Sequence, residues 1–125
     1  MTDPSSIQLT IYFNDTELEP EAQDQEAQRL LAELREMEEV DRVDRVPDLN
    51  PPEGHKGIGG FLAGVLKAEV NVANGQKVLG FLGDRLGRKP IELTVEANGK
   101  KLTVKANNAE ELQTAIQSAK DFIAS

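Results

Sequence analysis

Residues 7–13, IQLTIYF, alternate without exception, with Ile7, Leu9, Ile11 and Phe13 on one face and Gln8, Thr10 and Tyr12 on the other. A period of two predicts a strand with one buried side. The period then changes. In EAQDQEAQRLLAELREMEE, Ala27, Leu30, Leu31, Leu34 and Met37 recur at spacings of three and four, which predicts an amphipathic helix with charged outer faces. In VDRVDRVPDLNPP the residues Val40, Val43 and Val46 are three apart, a spacing that suits neither period. We read a second strand over residues 41–47, ended by Pro47. Parallel pairing of the two strands would make residues 7–47 a β-α-β unit with a right-handed crossover.

The stretch over residues 47–57 is a loop by its prolines and glycines. FLAGVLKAEV, next, is a short apolar helix or an extended piece. NGQKVLGFLGDRLGRK predicts a helix with Val78, Leu79, Leu82 and Leu86 as its stripe. IELTVEANGKKLTVKA predicts a hairpin, because two alternating runs flank Asn98-Gly99, a pair suited to a type I′ turn. In the last segment Asn108 stands as N-cap with Glu111 three residues on, a capping-box spacing, before the stripe of Leu112, Ala115, Ile116, Ala119 and Ile123. The order β-α-β-(α)-α-β-β-α in 125 residues predicts one α+β domain. Its expected form is a single sheet of about four strands with helices packed mainly on one face, and a flexible N-terminus over residues 1–6.

Charge adds a polarity to this picture. Met1 to Glu53 hold 15 acidic and 4 basic residues, net −11, whereas the remainder holds 7 acidic and 10 basic, net +3. Such a layout disfavours general nucleic-acid binding and suits a complementary protein partner or head-to-tail association of copies. Five aromatic residues are too few for a base-stacking platform. Without cysteine there is no thiolate chemistry, and His55 with carboxylates alone makes a poor zinc site. His55 also lacks a neighbouring nucleophile, so we expect neither catalysis nor a cofactor. The start of the chain has neither a basic nor an apolar signal region, so the expected address is the cytoplasm. FLAGVLKAEV lacks the strongly basic opposite face that membrane binding would need.

Nine of the ten glycines fall between Gly54 and Gly87. One reading makes Lys56, Gly57, Gly59 and Gly60 an anion or nucleotide cradle feeding a helix N-terminus. Against it, Phe61-Leu62 stands where a Walker loop needs Lys-Ser/Thr, and no strand directly precedes the glycines. The other reading is packing. Gly80, Gly83 and Gly87 fall on one narrow strip of the predicted helix, where three glycines cost about 2–3 kcal/mol relative to alanine. A backbone packed against the strip, from this chain or another, would offset that cost. With Leu62 and Leu66 as surface apolar residues, the strip becomes a candidate interaction face.

The arrangement resembles a bacterial family, the effector-associated constant component family. The shared parts are the acidic helix, the Pro-rich lead into the glycine turn (VPDLNPPEGHKGIGGFLAGVL), the helix LGFLGDRLGRKP, and the ELTVEANGKKLTVKA hairpin with its final helix. The resemblance implies a small non-enzymatic protein of bacterial conflict or defence systems. It would accompany variable effectors such as caspase-like or trypsin-like peptidases, or signalling ATPases of the STAND type. It supplies no catalytic or ligand-binding residue.

Overall fold

A computed structural model describes residues 6–15, 17–48, 57–58, 60–87 and 89–124. Residues 1–5 of the expected flexible start and most of the expected 47–57 loop, His55 and Lys56 included, lie outside the described residues, whereas Ser6 already belongs to the first strand. The elements are β1 (Ser6–Phe13), α1 (Pro20–Arg35), β2 (Val40–Pro47), β3 (Gly57–Ile58), β4 (Phe61–Asn71), α2 (Val72–Leu86), β5 (Ile91–Ala97), β6 (Lys100–Ala106) and α3 (Ala109–Ala124). The strands form an antiparallel sheet in the order β2-β4-β1-β5-β6, with the two-residue β3 on the start of β4.

The ambiguous segment FLAGVLKAEV is therefore a strand, and it corrects the expected β-α-β unit. β4 lies between β1 and β2, antiparallel to both, so the first two strands run parallel without pairing. Burial explains the order. Leu66, Ala68 and Val70 of β4 register with Ile11, Leu9 and Ile7 and are all fully buried. β2 carries Asp41, Arg42, Asp44 and Arg45, charges that suit an edge. The three-residue spacing of its valines has a local cause. Asp41 is an extra residue between the pairs Val40↔Val70 and Val43↔Ala68, so both valines face the core across a bulge.

The hairpin forms as expected, with Asn98 at φ 54° and Gly99 at φ 75°, both positive as a type I′ turn requires. Asn108 caps α3 by accepting from the Glu111 N–H at 2.8 Å, while the Glu111 carboxylate accepts from the Asn107 N–H at 2.9 Å, one residue ahead of the cap.

All three helices cover one face of the sheet. Leu30, Leu34, Leu79, Leu82, Leu86 and Leu112 meet the inward residues of the strands in one core, each 1% exposed or less. Ion pairs link the acidic first half of the chain to the α2 region: Glu33 with Arg85 at 2.7 Å, Glu26 with Lys89 at 2.9 Å and Glu39 with Lys77 at 2.9 Å. The Lys77 hydrogen bond holds the Glu39 carboxyl below the usual carboxylate range. Three of the fifteen acids of the first half are thus answered by cations of the second half of the same chain.

The glycines of α2 do different jobs. A Cβ on Gly75 would lie 2.6 Å from Ile123 Cδ1 and 2.9 Å from Ile7 Cδ1, so this glycine lets α2 sink between α3 and β1. A Cβ on Gly83 would meet Ile116 Cγ1 at 3.4 Å, an ordinary contact with α3. Accordingly Gly83→Ala should raise stability by up to about 1 kcal/mol through helix propensity. Gly75→Leu should cost about 1–3 kcal/mol by overpacking. Urea unfolding of the two variants checks both signs.

Candidate protein-binding surface

Asp24 occupies a stripe position of α1, three residues before Ala27 and seven before Leu31, and is 2% exposed. A buried carboxylate is costly unless it is paired and hydrogen-bonded. This one receives Arg45 Nη2 at 2.6 Å on both oxygens, Gln28 Nε2 at 2.9 Å and the Gly64 N–H at 3.2 Å. The Arg45 guanidinium also lies 4.6 Å from the centre of the Phe61 ring, a cation–π distance. One side chain of α1 thereby fixes β2 and β4. Gly64 adopts φ 73°, and a Cβ there would sit 3.3 Å from Gln23 Cβ and 3.4 Å from the Phe13 carbonyl oxygen. The close approach that delivers its N–H to Asp24 therefore requires glycine. Three extra residues of β4 are accommodated here, between the pairs Arg45↔Leu66 and Pro47↔Phe61.

The sequence-derived candidates disperse. Gly60 lies at the turn into β4, and Gly57 pairs with Leu62, so the glycines lead into an eleven-residue strand. The helix N-terminus required by the anion reading is not there, while Lys56 and Gly59 lie outside the described residues. The strip of Gly80, Gly83 and Gly87 is not one surface. A Cβ on Gly80 would have the Lys120 ammonium at 3.7 Å, Gly83 packs on α3, and Gly87 is the C-cap of α2 with open space beside it. Leu66 is fully buried and Leu62 half-buried. Leu66 and Gly83 are thus interior positions, and replacing Gly83 with leucine would press on Ile116 of the same chain.

Among the described residues no helix covers the opposite face of the sheet. Register places its side chains in rows: Arg42, Glu69, Gln8, Glu96 and Lys101 in one, Asp44, Lys67, Thr10, Thr94 and Thr103 in the next. A third row holds Val65, Tyr12, Glu92 and Lys105. Opposite charges are neighbours in every row, and Thr94 Oγ1 and Thr103 Oγ1 lie 3.1 Å apart. Apart from Val65, these residues are exposed or half-buried, and Tyr12 is among the most exposed large apolar side chains described.

At the β2 end a groove of about 580 Å³ is lined by Arg35, Arg42, Asp44, Phe61, Lys67 and Glu69, among others. Arg42 Nε donates to Asp44 at 2.6 Å, a bond that raises the Arg42 pKa. The groove mixes both charges with an aromatic wall, a composition suited to a protein surface. Neither Asp24 nor these rows stood out in the sequence as a site. The available signal was an acid on the apolar stripe of α1, together with the strict alternation of LKAEV and of the hairpin.

If Asp24 anchors the helix layer to the sheet, Arg45→Met should cost about 3–5 kcal/mol by stranding a buried carboxylate. Adding Asp24→Leu should recover part of that loss, and a double-mutant cycle by denaturant unfolding measures the coupling. No helix among the described residues is long and apolar enough to cross a membrane. Comparison with curated proteins and with solved structures gives no match. The family model described as Effector Associated Constant Component 1 matches residues 19–121, from the N-cap of α1 to the last turn of α3. The chain belongs to that family.

Proposed function

We propose that this domain is a non-enzymatic adaptor of a bacterial conflict or signalling system, working in the cytoplasm. It would bind an effector peptidase or a signalling ATPase of the STAND type through the helix-free side of its sheet. The family's description as a component associated with effectors supports an accessory role. The observation that carries the choice of surface is the division of the sheet. One face is closed by three helices, and the other presents five strands of polar side chains in charge-paired rows around Tyr12. Such a face offers a protein partner electrostatic complementarity with little rearrangement.

Affinity capture of the tagged chain from lysate of its own source, read by mass spectrometry, tests this reading. A peptidase or STAND-type ATPase should be recovered in near-stoichiometric amount. It should be lost with Thr10→Arg on the open face and retained with Gln25→Arg on the outer face of α1. Recovery of further copies of the chain alone, or of no protein, contradicts the reading.

A further inference from the structure

The two edges of the sheet differ in kind. β2 is interrupted by two register shifts, ends in Pro47 and alternates charges of both signs, devices that blunt an edge. β6 pairs with β5 over seven residues without a break. The type I′ turn makes Ala97 and Lys100 a hydrogen-bonded pair, so Lys100, Leu102, Val104 and Ala106 direct their backbone groups at β5. Those of Lys101, Thr103 and Lys105 point away from the sheet. The 3.1 Å approach of the Thr94 and Thr103 hydroxyls fits the closer, non-hydrogen-bonded pair that this assignment requires. All three outward residues are exposed. Between β6 and the first turns of α3 runs a groove of about 450 Å³, lined in part by Val104, Glu111, Thr114, Ala115 and Ser118.

The lysines decide which strand can lie there. Lys101 and Lys105 stand on the open face beside Glu96 and Glu92 of β5, with Thr103 beside Thr94 between them. Extending each row by one strand with alternating charge requires an acid next to each lysine and a small β-branched residue next to Thr103. A second copy of β6 laid antiparallel about Thr103 would set Lys101 of each copy against Lys105 of the other, and like charges directly opposite repel. The β2 of a second copy offers Asp44 with Arg42 two residues away, not two acids four apart.

We propose that β6 receives an extended segment of a protein partner, added as a further strand. The segment carries acidic residues four apart, with a threonine or other β-branched residue midway. Small apolar residues at the alternate positions face Val104 and Ala115 in the groove. Backbone bonds to Lys101, Thr103 and Lys105 supply affinity, and the two lysines supply the choice of sequence. This deepens the proposed function and rests on it for the partner's identity, though not for the edge geometry.

The probe is a synthetic peptide centred on Glu-Val-Thr-Val-Glu, titrated into the full chain by amide NMR beside a Lys-Val-Thr-Val-Lys counterpart. The acidic peptide should slow exchange of the Lys101, Thr103 and Lys105 amides and bind at least about tenfold more tightly than the basic one. N-methylating its amides that face β6 should abolish binding, and the Lys101→Gln, Lys105→Gln variant should bring the two peptides close to equal affinity. Equal binding of both peptides to the unmodified protein, binding that maps elsewhere, or no binding overturns the proposal and leaves the lysines as guards against self-pairing. With the captured effector, Thr103→Pro removes one outward N–H without touching the β5 ladder and should release it, while Thr103→Val should hold it. An effector retained by folded Thr103→Pro overturns the edge proposal and leaves the adaptor reading intact. Peptide binding as expected, with no effector captured, supports the edge and overturns the adaptor reading.

Discussion

Strand β4 pairs with β1 on one side and β2 on the other, takes β3 on its first two residues, and receives Asp24 of α1 at Gly64. Its position in the sheet follows from its own composition. Leu66, Ala68 and Val70 need a neighbour on each side to be fully covered, and the charged β2 can occupy only an edge. Once β4 is inserted, α1 must cross it to connect β1 to β2, which brings the buried Asp24 over the backbone of Gly64 and within reach of Arg45. The carboxylate is stable there because three donor groups satisfy it.

The same arrangement sorts the surfaces. Three amphipathic helices share one apolar sheet face, and ion pairs across α1 and α2 consume charges that would otherwise be free for a partner. On the open sheet face register rather than net charge sets the pattern of charges. β6 is the one place among the described residues where an unbroken strand combines outward backbone groups, a flanking groove and a fixed charge sequence.

Much of this was legible in the chain. Strict alternation marked β1, β5 and β6, and Asn98-Gly99 and Asn108 marked a turn and a cap by local chemistry. The stripes of α2 and α3 match the buried residues, and that of α1 does so up to Leu34, with Met37 lying past the helix end. The position of β4 was not legible because Leu, Ala, Lys and Glu are good helix formers, so FLAGVLKAEV carries no strong strand preference. Its alternation from Leu66 to Val70 was the competing signal, and packing decided in its favour. The valines of β2 misled because a bulge adds a residue, a tertiary event without a local marker. The glycines misled by their spacing: Gly80, Gly83 and Gly87 share a helical strip in sequence but meet a lysine, the neighbouring α3 and open space respectively. The candidate surface escaped notice for a related reason, since rows of side chains across five strands exist only after the strand order is known.

Native-state amide hydrogen exchange along β6 tests the central claim most directly, because it reads backbone exposure without needing a partner. An open edge predicts alternation: Leu102, Val104 and Ala106 protected to near the global stability, with Lys101, Thr103 and Lys105 exchanging orders of magnitude faster. Uniform protection of all six amides would mean that another element already covers this edge, and would contradict the account.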